Sequence, residues 1–319
     1  MALGYDRRLY ILAFDHRGSF EKMVGGAPTS GTTERIRAAK EVIYGGLRRA
    51  VAAGVPTLVA GALVDEQYGA EVARRVRQDH LVLAMPVEKS GQDEFDFEYG
   101  HAFAEHIDRF DPDFAKVLVR YNPEGDEALN RRQVSRLRVL GEHLHTHGRK
   151  LLFELLVPAT PAQLAAVGGD AGRFDLELRP DLMRRAIAEL QDAGVEPDVW
   201  KIEGLDRRED CIRIADLVRA GGRGGVGCVV LGRGADAAQV DRWLRAGAGV
   251  PGYLGFAIGR SIWSAPIKAY LAGAIGREDA EAQIGRNYLH CVDVYAAAAQ
   301  PPAIAAAPTH AALSARAPV

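Results

Sequence analysis

Four ionisable residues stand where the surrounding sequence is almost wholly apolar. Lys201 lies in Val199-Trp200-Lys201-Ile202-Glu203, Glu154 in Leu152-Phe153-Glu154-Leu155-Leu156, Lys116 in Ala115-Lys116-Val117-Leu118-Val119, and Asp15 closes Leu12-Ala13-Phe14-Asp15. Burying an unpaired charge in such a run is costly, so each of these residues needs a reason to be there. A lysine amine desolvated in this way, with cations nearby, can lose its proton and attack a carbonyl carbon. Two amines beside two carboxylates can divide their protonation states as Schiff-base chemistry requires. Each residue also has a plainer role open to it. Lys201 could end its strand and reach solvent, Glu154 and Lys116 could form a structural pair, and Asp15 could cap the next turn. Their presence on the first, fourth, fifth and sixth apolar runs points instead to one shared site. Glu203, two residues past Lys201, projects to the same strand face and is a candidate to orient the lysine or bind substrate.

A second constellation suits a phosphate. Leu231-Gly232-Arg233-Gly234-Ala235-Asp236 and Ala257-Ile258-Gly259-Arg260-Ser261 each close an apolar run and open a helical segment. Glycine permits close backbone approach, a helix start presents N–H groups, and arginine supplies a two-pronged donor. Arg17 and Arg120, also at run ends, suit a substrate carboxylate.

The elements that must position these residues are legible as alternation. Apolar runs cover residues 10–15, 57–61, 81–86, 115–121, 151–157, 198–203, 227–232 and 253–259. They are nearly continuous in hydrophobicity, as parallel strands covered on both faces are. Helical patterns fill 32–53, 66–77, 96–110, 126–147, 180–193, 206–220, 235–246 and 261–276. Eight strand–helix units in succession predict an α/β fold, a single (β/α)8 TIM barrel over residues 1–295. Residues 296–319 form an Ala/Pro-rich tail expected to be disordered. The glycine-rich stretch 221–227 precedes a strand, whereas a dinucleotide-binding loop follows one, so it reads as a connection.

Composition excludes several classes. A net charge of -2 with scattered basic residues gives no footing for nucleic acid. The apolar run near the N-terminus is too short for a signal sequence or a membrane span. The three cysteines make no CxxC pair, which fits a reduced, cytoplasmic protein. His143, His145 and His147 resemble metal ligands and raise metal-dependent chemistry as a rival to the Schiff base. They end the helix before the fifth strand, far from the expected site, where cationic side chains suit a helix C-terminus. No metal and no cofactor are expected.

Taken together, residues 12–18, Lys116-Val117-Leu118-Val119, Phe153-Glu154-Leu155, Trp200-Lys201-Ile202-Glu203 and Gly259-Arg260 resemble the class I, Schiff-base aldolase superfamily, over about residues 8–295. The chain is similar to tagatose-bisphosphate and sulfofructose-phosphate aldolases. It most resembles the 2-deoxy-5-keto-gluconate 6-phosphate aldolase-like domain fused to 5-dehydro-2-deoxygluconokinase in bacterial myo-inositol catabolism. The resemblance implies a lyase in which Lys201 forms the Schiff base and Glu154 is its acid/base. Lys116 would tune charge, and Asp15 would handle hydroxyl or proton at C–C cleavage. Arg260 with Gly232, Arg233, Gly234 and Gly259 would hold phosphate. The implied reaction yields dihydroxyacetone phosphate and malonate semialdehyde, without the kinase half. His16 departs from the glutamine of the tagatose relatives, and Asn122-Pro123 replaces an acidic run, so substrate choice stays open among ketose phosphates. A non-catalytic, sugar-phosphate-binding regulatory barrel is the alternative of another class. The expected partner is a small sugar phosphate, with neither nucleic acid nor membrane, and assembly into a homo-oligomer is left open.

Overall fold

Strand formation follows the apolar runs, and the chain alternates strands with helices from end to end. The computed structural model describes residues 3–26 and 29–300. The strands are β1 Leu9–Ala13, β2 Ala60–Leu63, β3 Val82–Pro86, β4 Phe114–Arg120, β5 Lys150–Leu156, β6 Val199–Glu203, β7 Gly227–Leu231 and β8 Tyr253–Ile258. They close into one barrel in chain order, every neighbour parallel, with β8 returning to β1. The helices are α1 Gly18–Val24, α2 Ser30–Ala52, α3 Glu66–Gln78, α4 Phe103–Phe110, α5 Glu127–Thr146, α6 Pro161–Ala166, α7 Ala171–Arg173, α8 Arg179–Asp192, α9 Arg208–Arg219, α10 Ala237–Gly247, α11 Arg260–Leu271 and α12 Arg277–Ala298. Among the described residues no helix is long and apolar enough to cross a membrane.

Strand side chains alternate with a period of two, and here that period separates two cores. Leu9, Ile11, Ala13, Val82, Ala84, Phe114, Leu152, Val199, Val229 and Ala257 form an apolar plug inside the barrel. Their neighbours in sequence, such as Leu12, Leu83, Val117, Phe153, Ile202 and Val230, belong to the larger core beneath the helices. Two residues beyond Ala13, Phe114, Leu152 and Val199 come Asp15, Lys116, Glu154 and Lys201. The plug therefore carries a layer of charge directly above it, at the C-terminal ends of the strands.

Some boundaries differ from the sequence expectation. The second strand is 60–63 rather than 57–61. The amides of Val59 and Ala60 both return to the carbonyl of Pro56, a turn that leaves Leu58 exposed. Within 96–110, Gly100–Ala102 forms a 3-10 turn and α4 follows from Phe103, while the residues before Gly100 are not helical because Phe97 bridges back to Glu88. Helix α11 stops at Leu271. Helix α12, for which no helix was expected, buries Ala280, Ile284, Tyr288, Cys291 and Tyr295 and continues past the expected boundary at 295. The remainder of the expected tail, from 301 on, lies outside the described residues. A turn of π-helix, Phe174–Leu178, joins α7 to α8, and α1, α6 and α7 add to the loops after β1 and β5.

A buried cation fixes the end of β1. Lys40 of α2 has no exposure, pairs with Asp65, and donates to the carbonyls of Phe14 and His16, which flank Asp15. Removing one member of a buried ion pair costs about 3–5 kcal/mol because the other charge is stranded. Lys40→Met is therefore expected to lower the urea midpoint by a matching amount. A midpoint within experimental error of wild type would show that the Lys40–Asp65 pair does not hold this strand end.

Candidate active site

Glu154 and Lys201 are register partners on β5 and β6, so their side chains enter the barrel side by side. The Lys201 Nζ lies 2.8 Å from Glu154 Oε2. The same oxygen is 3.1 Å from Lys116 Nζ. Lys116 also donates to Asp15 Oδ2 at 2.8 Å and to Glu88 Oε1 at 2.7 Å. The four residues singled out in the sequence are thus drawn into one buried cluster, with a fifth that was not. Glu88 follows β3, where the expected strand ended at Pro86. Extending the inward alternation Val82, Ala84, Pro86 by one more step reaches Glu88, and that was the signal available.

Burial alone would lower the Lys116 pKa, but the carboxylates of Asp15, Glu154 and Glu88 outweigh it and hold the ammonium well above its usual range. Burial would raise Asp15, yet Lys116, Lys201 and His16 pull its carboxyl well below the carboxylate range. Glu154 is lowered in the same way, burial being outweighed by Lys116 and Lys201. Glu88 goes the other way. Burial raises it, and Lys116 and Arg17 do not fully compensate. Its Oε2 is buried with no hydrogen-bond partner among the described residues. Burial also pushes the His16 imidazole down to about 4 despite the adjacent Asp15 carboxylate.

These groups line a cavity of about 850 Å³ at the barrel mouth. On its β7–β8 side stands the expected phosphate seat. Gly259 approaches β1 so closely that a Cβ would lie 2.3 Å from the Ala13 carbonyl oxygen. Gly234, at φ 77°, leaves room for the Arg260 guanidinium, whose Cζ a Cβ would meet at 3.2 Å. Arg260 is exposed, donates to the Arg233 carbonyl at 3.2 Å, and has no carboxylate in ion-pair range among the described residues. Helix α11 begins at Arg260 without a side-chain cap. Gly232 sits at the end of β7 against Ile258, which keeps the two loops together.

Other expected residues are placed differently. Arg233 is neutralised rather than free, with Asp175 Oδ2 at 2.6 Å from Nη1 and Glu203 Oε1 at 3.1 Å from Nε. Glu203 holds that arginine and accepts the Val157 amide at 3.0 Å, so it orients Arg233 and the β5 end, not Lys201. Arg17 is committed to Glu98 Oε2 at 2.8 Å and to the Glu88 carbonyl at 2.7 Å, which leaves its fork without the two free prongs a substrate carboxylate needs. Arg120 lines the cavity, half-buried, with Nη1 on the Gln92 carbonyl at 2.7 Å. His145 contacts Asp198, which precedes β6, at 3.2 Å, and His147 bonds the His143 carbonyl. The three histidines are therefore at the opposite end of the barrel from the cluster, and among the described residues no group of side chains has metal-ligand geometry.

A family model matches residues 4–299, spanning every strand and helix of the barrel. The chain belongs to the family described as "Uncharacterized protein conserved in bacteria (DUF2090)". No curated relative matches it. Among solved structures, this DUF2090 chain is similar to a fructose-bisphosphate aldolase from Plasmodium falciparum, in complex with TRAP and a small-molecule inhibitor. The two share 12% identity and a TM-score of 0.59, over 92% of this chain and 91% of that one. It is also similar to a Schiff base forming fructose-1,6-bisphosphate aldolase, at 13% identity and a TM-score of 0.54, over 90% of this chain and 94% of the other. At such identities the likeness establishes the fold.

The displaced histidine has a measurable consequence. An unfolded chain takes up a proton at His16 near the ordinary histidine value of about 6.5. The folded DUF2090 chain does so only at about 4. Between those values the unfolded state binds more protons, so this contribution to stability falls as pH falls through the window. His16→Gln is expected to flatten that part of the urea-midpoint profile, and a profile identical to wild type between pH 6.5 and 4 would refute the assignment.

Proposed function

We propose that this chain is a class I aldolase that breaks a C–C bond in an anionic keto-sugar through a Schiff base on Lys201. The observation that carries the reading is the inequality of the two buried amines. Both line the cavity, but Lys116 is enclosed by three carboxylates and stays an ammonium, whereas Lys201 touches one carboxylate, Glu154, among the described residues. The nucleophile must give up a proton, which three carboxylates oppose at Lys116, so Lys201 is assigned as the nucleophile and Lys116 as the fixed charge. Glu154 takes the proton Lys201 must lose and returns it to the hydroxyl that leaves as water when the iminium forms. Asp15, held ionised, takes the proton of the substrate hydroxyl as the C–C bond breaks, and the electron pair passes into the iminium to give an enamine. Protonation at carbon and hydrolysis free the product and Lys201.

The seat formed by Gly234, Gly259, Arg260 and the start of α11 suits a phosphate. Arg120 stands at the end of β4, diametrically across the ring from β8, so the cavity offers a cation at each side. That arrangement suits a substrate anionic at both ends. The sequence resemblance narrows it to 2-deoxy-5-keto-gluconate 6-phosphate, with Lys201 condensing at C5. Cleavage of C3–C4 releases malonate semialdehyde, and dihydroxyacetone phosphate follows from the enamine. Tagatose bisphosphate and sulfofructose phosphate share the same two-ended charge and are the competing substrates.

Borohydride added with dihydroxyacetone phosphate is expected to fix a covalent adduct on Lys201, read by peptide mass. Lys201→Met should remain folded and lose activity by roughly 10⁴-fold or more, the scale set by deleting other covalent nucleophiles. A wild-type protein that forms no adduct with any keto-sugar phosphate would instead be a sugar-phosphate-binding barrel. Arg260→Ala should raise KM for the phosphorylated substrate about tenfold, equivalent to about 1.4 kcal/mol, with little change in kcat. An unchanged KM would remove Arg260 from the phosphate seat.

A further inference from the structure

Between C–C cleavage and protonation of the enamine, the proton taken by Asp15 has to be kept close and later returned. Glu88 is placed for that task and has no role in the steps above. Its Oε1 is 2.7 Å from Lys116 Nζ, on the ammonium that Asp15 Oδ2 contacts at 2.8 Å. We propose that Glu88 is the proton store of the site, a positioning residue that exchanges a proton with Asp15 through the Lys116 ammonium they share. The proposal rests on the aldolase reading given above.

A purely structural carboxylate is a poor account of Glu88. Lys116 already has Asp15 and Glu154, and a third carboxylate makes three anions around two cations in a buried layer. Buried carboxylates kept for structure have both oxygens bonded, yet Glu88 Oε2 has no partner among the described residues. A proton delivered to Glu88 during turnover removes that excess negative charge, which agrees with the direction in which burial moves its carboxyl. Its position is held from outside the cluster. Arg17 grips the Glu88 carbonyl and is itself held by Glu98, while the Val87 amide bonds the Lys116 carbonyl at 2.9 Å. The charged groups facing Glu88 are thus Lys116 from β4, Asp15 and Arg17 from the end of β1, and Glu98 by way of Arg17. Glu154 and Lys201 lie behind Lys116, and Lys89 is its neighbour in the chain.

The step balances without any other reactant. A proton on Lys116 passes to a Glu88 oxygen as the proton on Asp15 passes to the Lys116 nitrogen. One proton has then moved from Asp15 to Glu88, Lys116 keeps its charge, and Asp15 is again a carboxylate. The reverse transfer supplies the enamine carbon through Asp15.

The test compares wild type with Glu88→Gln, whose amide oxygen still accepts from Lys116 but cannot store a proton. Loss of one proton-transfer group is expected to lower kcat by about 100-fold or more, on the scale of general acid–base catalysis. KM should stay within about twofold, since the substrate contacts of the phosphate seat are untouched. A store already protonated cannot accept, so Glu88 contributes to the acid limb of the kcat–pH profile, and that limb should move to lower pH in the variant. If Glu88→Gln does not fold, Glu88→Ala with added formate is the second arm, and formate should restore kcat. Wild-type kcat and an unmoved acid limb in Glu88→Gln, or no rescue by formate in Glu88→Ala, would overturn the proposal. Borohydride trapping of dihydroxyacetone phosphate separates the two levels. An adduct on Lys201 in wild type and variant with an unaltered pH profile removes the proton store alone, whereas no adduct in wild type removes the aldolase reading and this one with it.

Discussion

The structure depends on one ammonium enclosed by three carboxylates. Lys116 lies in the interior of a closed barrel, where an unmatched charge is untenable, and Asp15, Glu88 and Glu154 converge on it from three different strand ends. That convergence dictates the rest of the layer. It keeps Lys116 cationic, holds Asp15 and Glu154 ionised, and leaves Lys201 as the amine with a single carboxylate beside it among the described residues. Replacing any one group changes the charge seen by the others, so the cluster is a single electrostatic object.

The barrel supplies this cluster by simple counting. Parallel strands alternate inward and outward, and in the first, fourth, fifth and sixth strands the inward position just above the apolar plug is ionisable. The plug closes the barrel from below and excludes water from beneath the charges. Lys40 of α2 and Arg17 at the cavity wall fix the two chain segments that deliver Asp15 and Glu88.

Much of this was legible in the primary structure, and the gaps have physical causes. Continuous apolar runs announced eight parallel strands, and a lysine or carboxylate within such a run announced the cluster. The second strand was misplaced because Thr57-Leu58-Val59 is as apolar as a strand, and only the turn from Pro56 excludes it. Helix α12 was overlooked although its buried residues recur at helical spacing, because eight strand–helix units already completed the pattern. Glu88 was hidden by Pro86, which reads as a strand end. The fate of Arg233 depended on Asp175, 58 residues away on the π-turn, a pairing that no local pattern encodes.

Gly259 has one further consequence. It lies against the Ala13 carbonyl at the seam where the last strand meets the first, so the ring is completed at the very place proposed for the anion seat. An occupant of that proposed seat would sit at the junction of the first and last strands. Opening that seam would scatter the seat and carry Asp15 away from Lys116 in the same event. If the proposed seat binds its anion, occupancy and ring closure are linked equilibria, and a saturating ligand would secure the barrel as a whole by mass action.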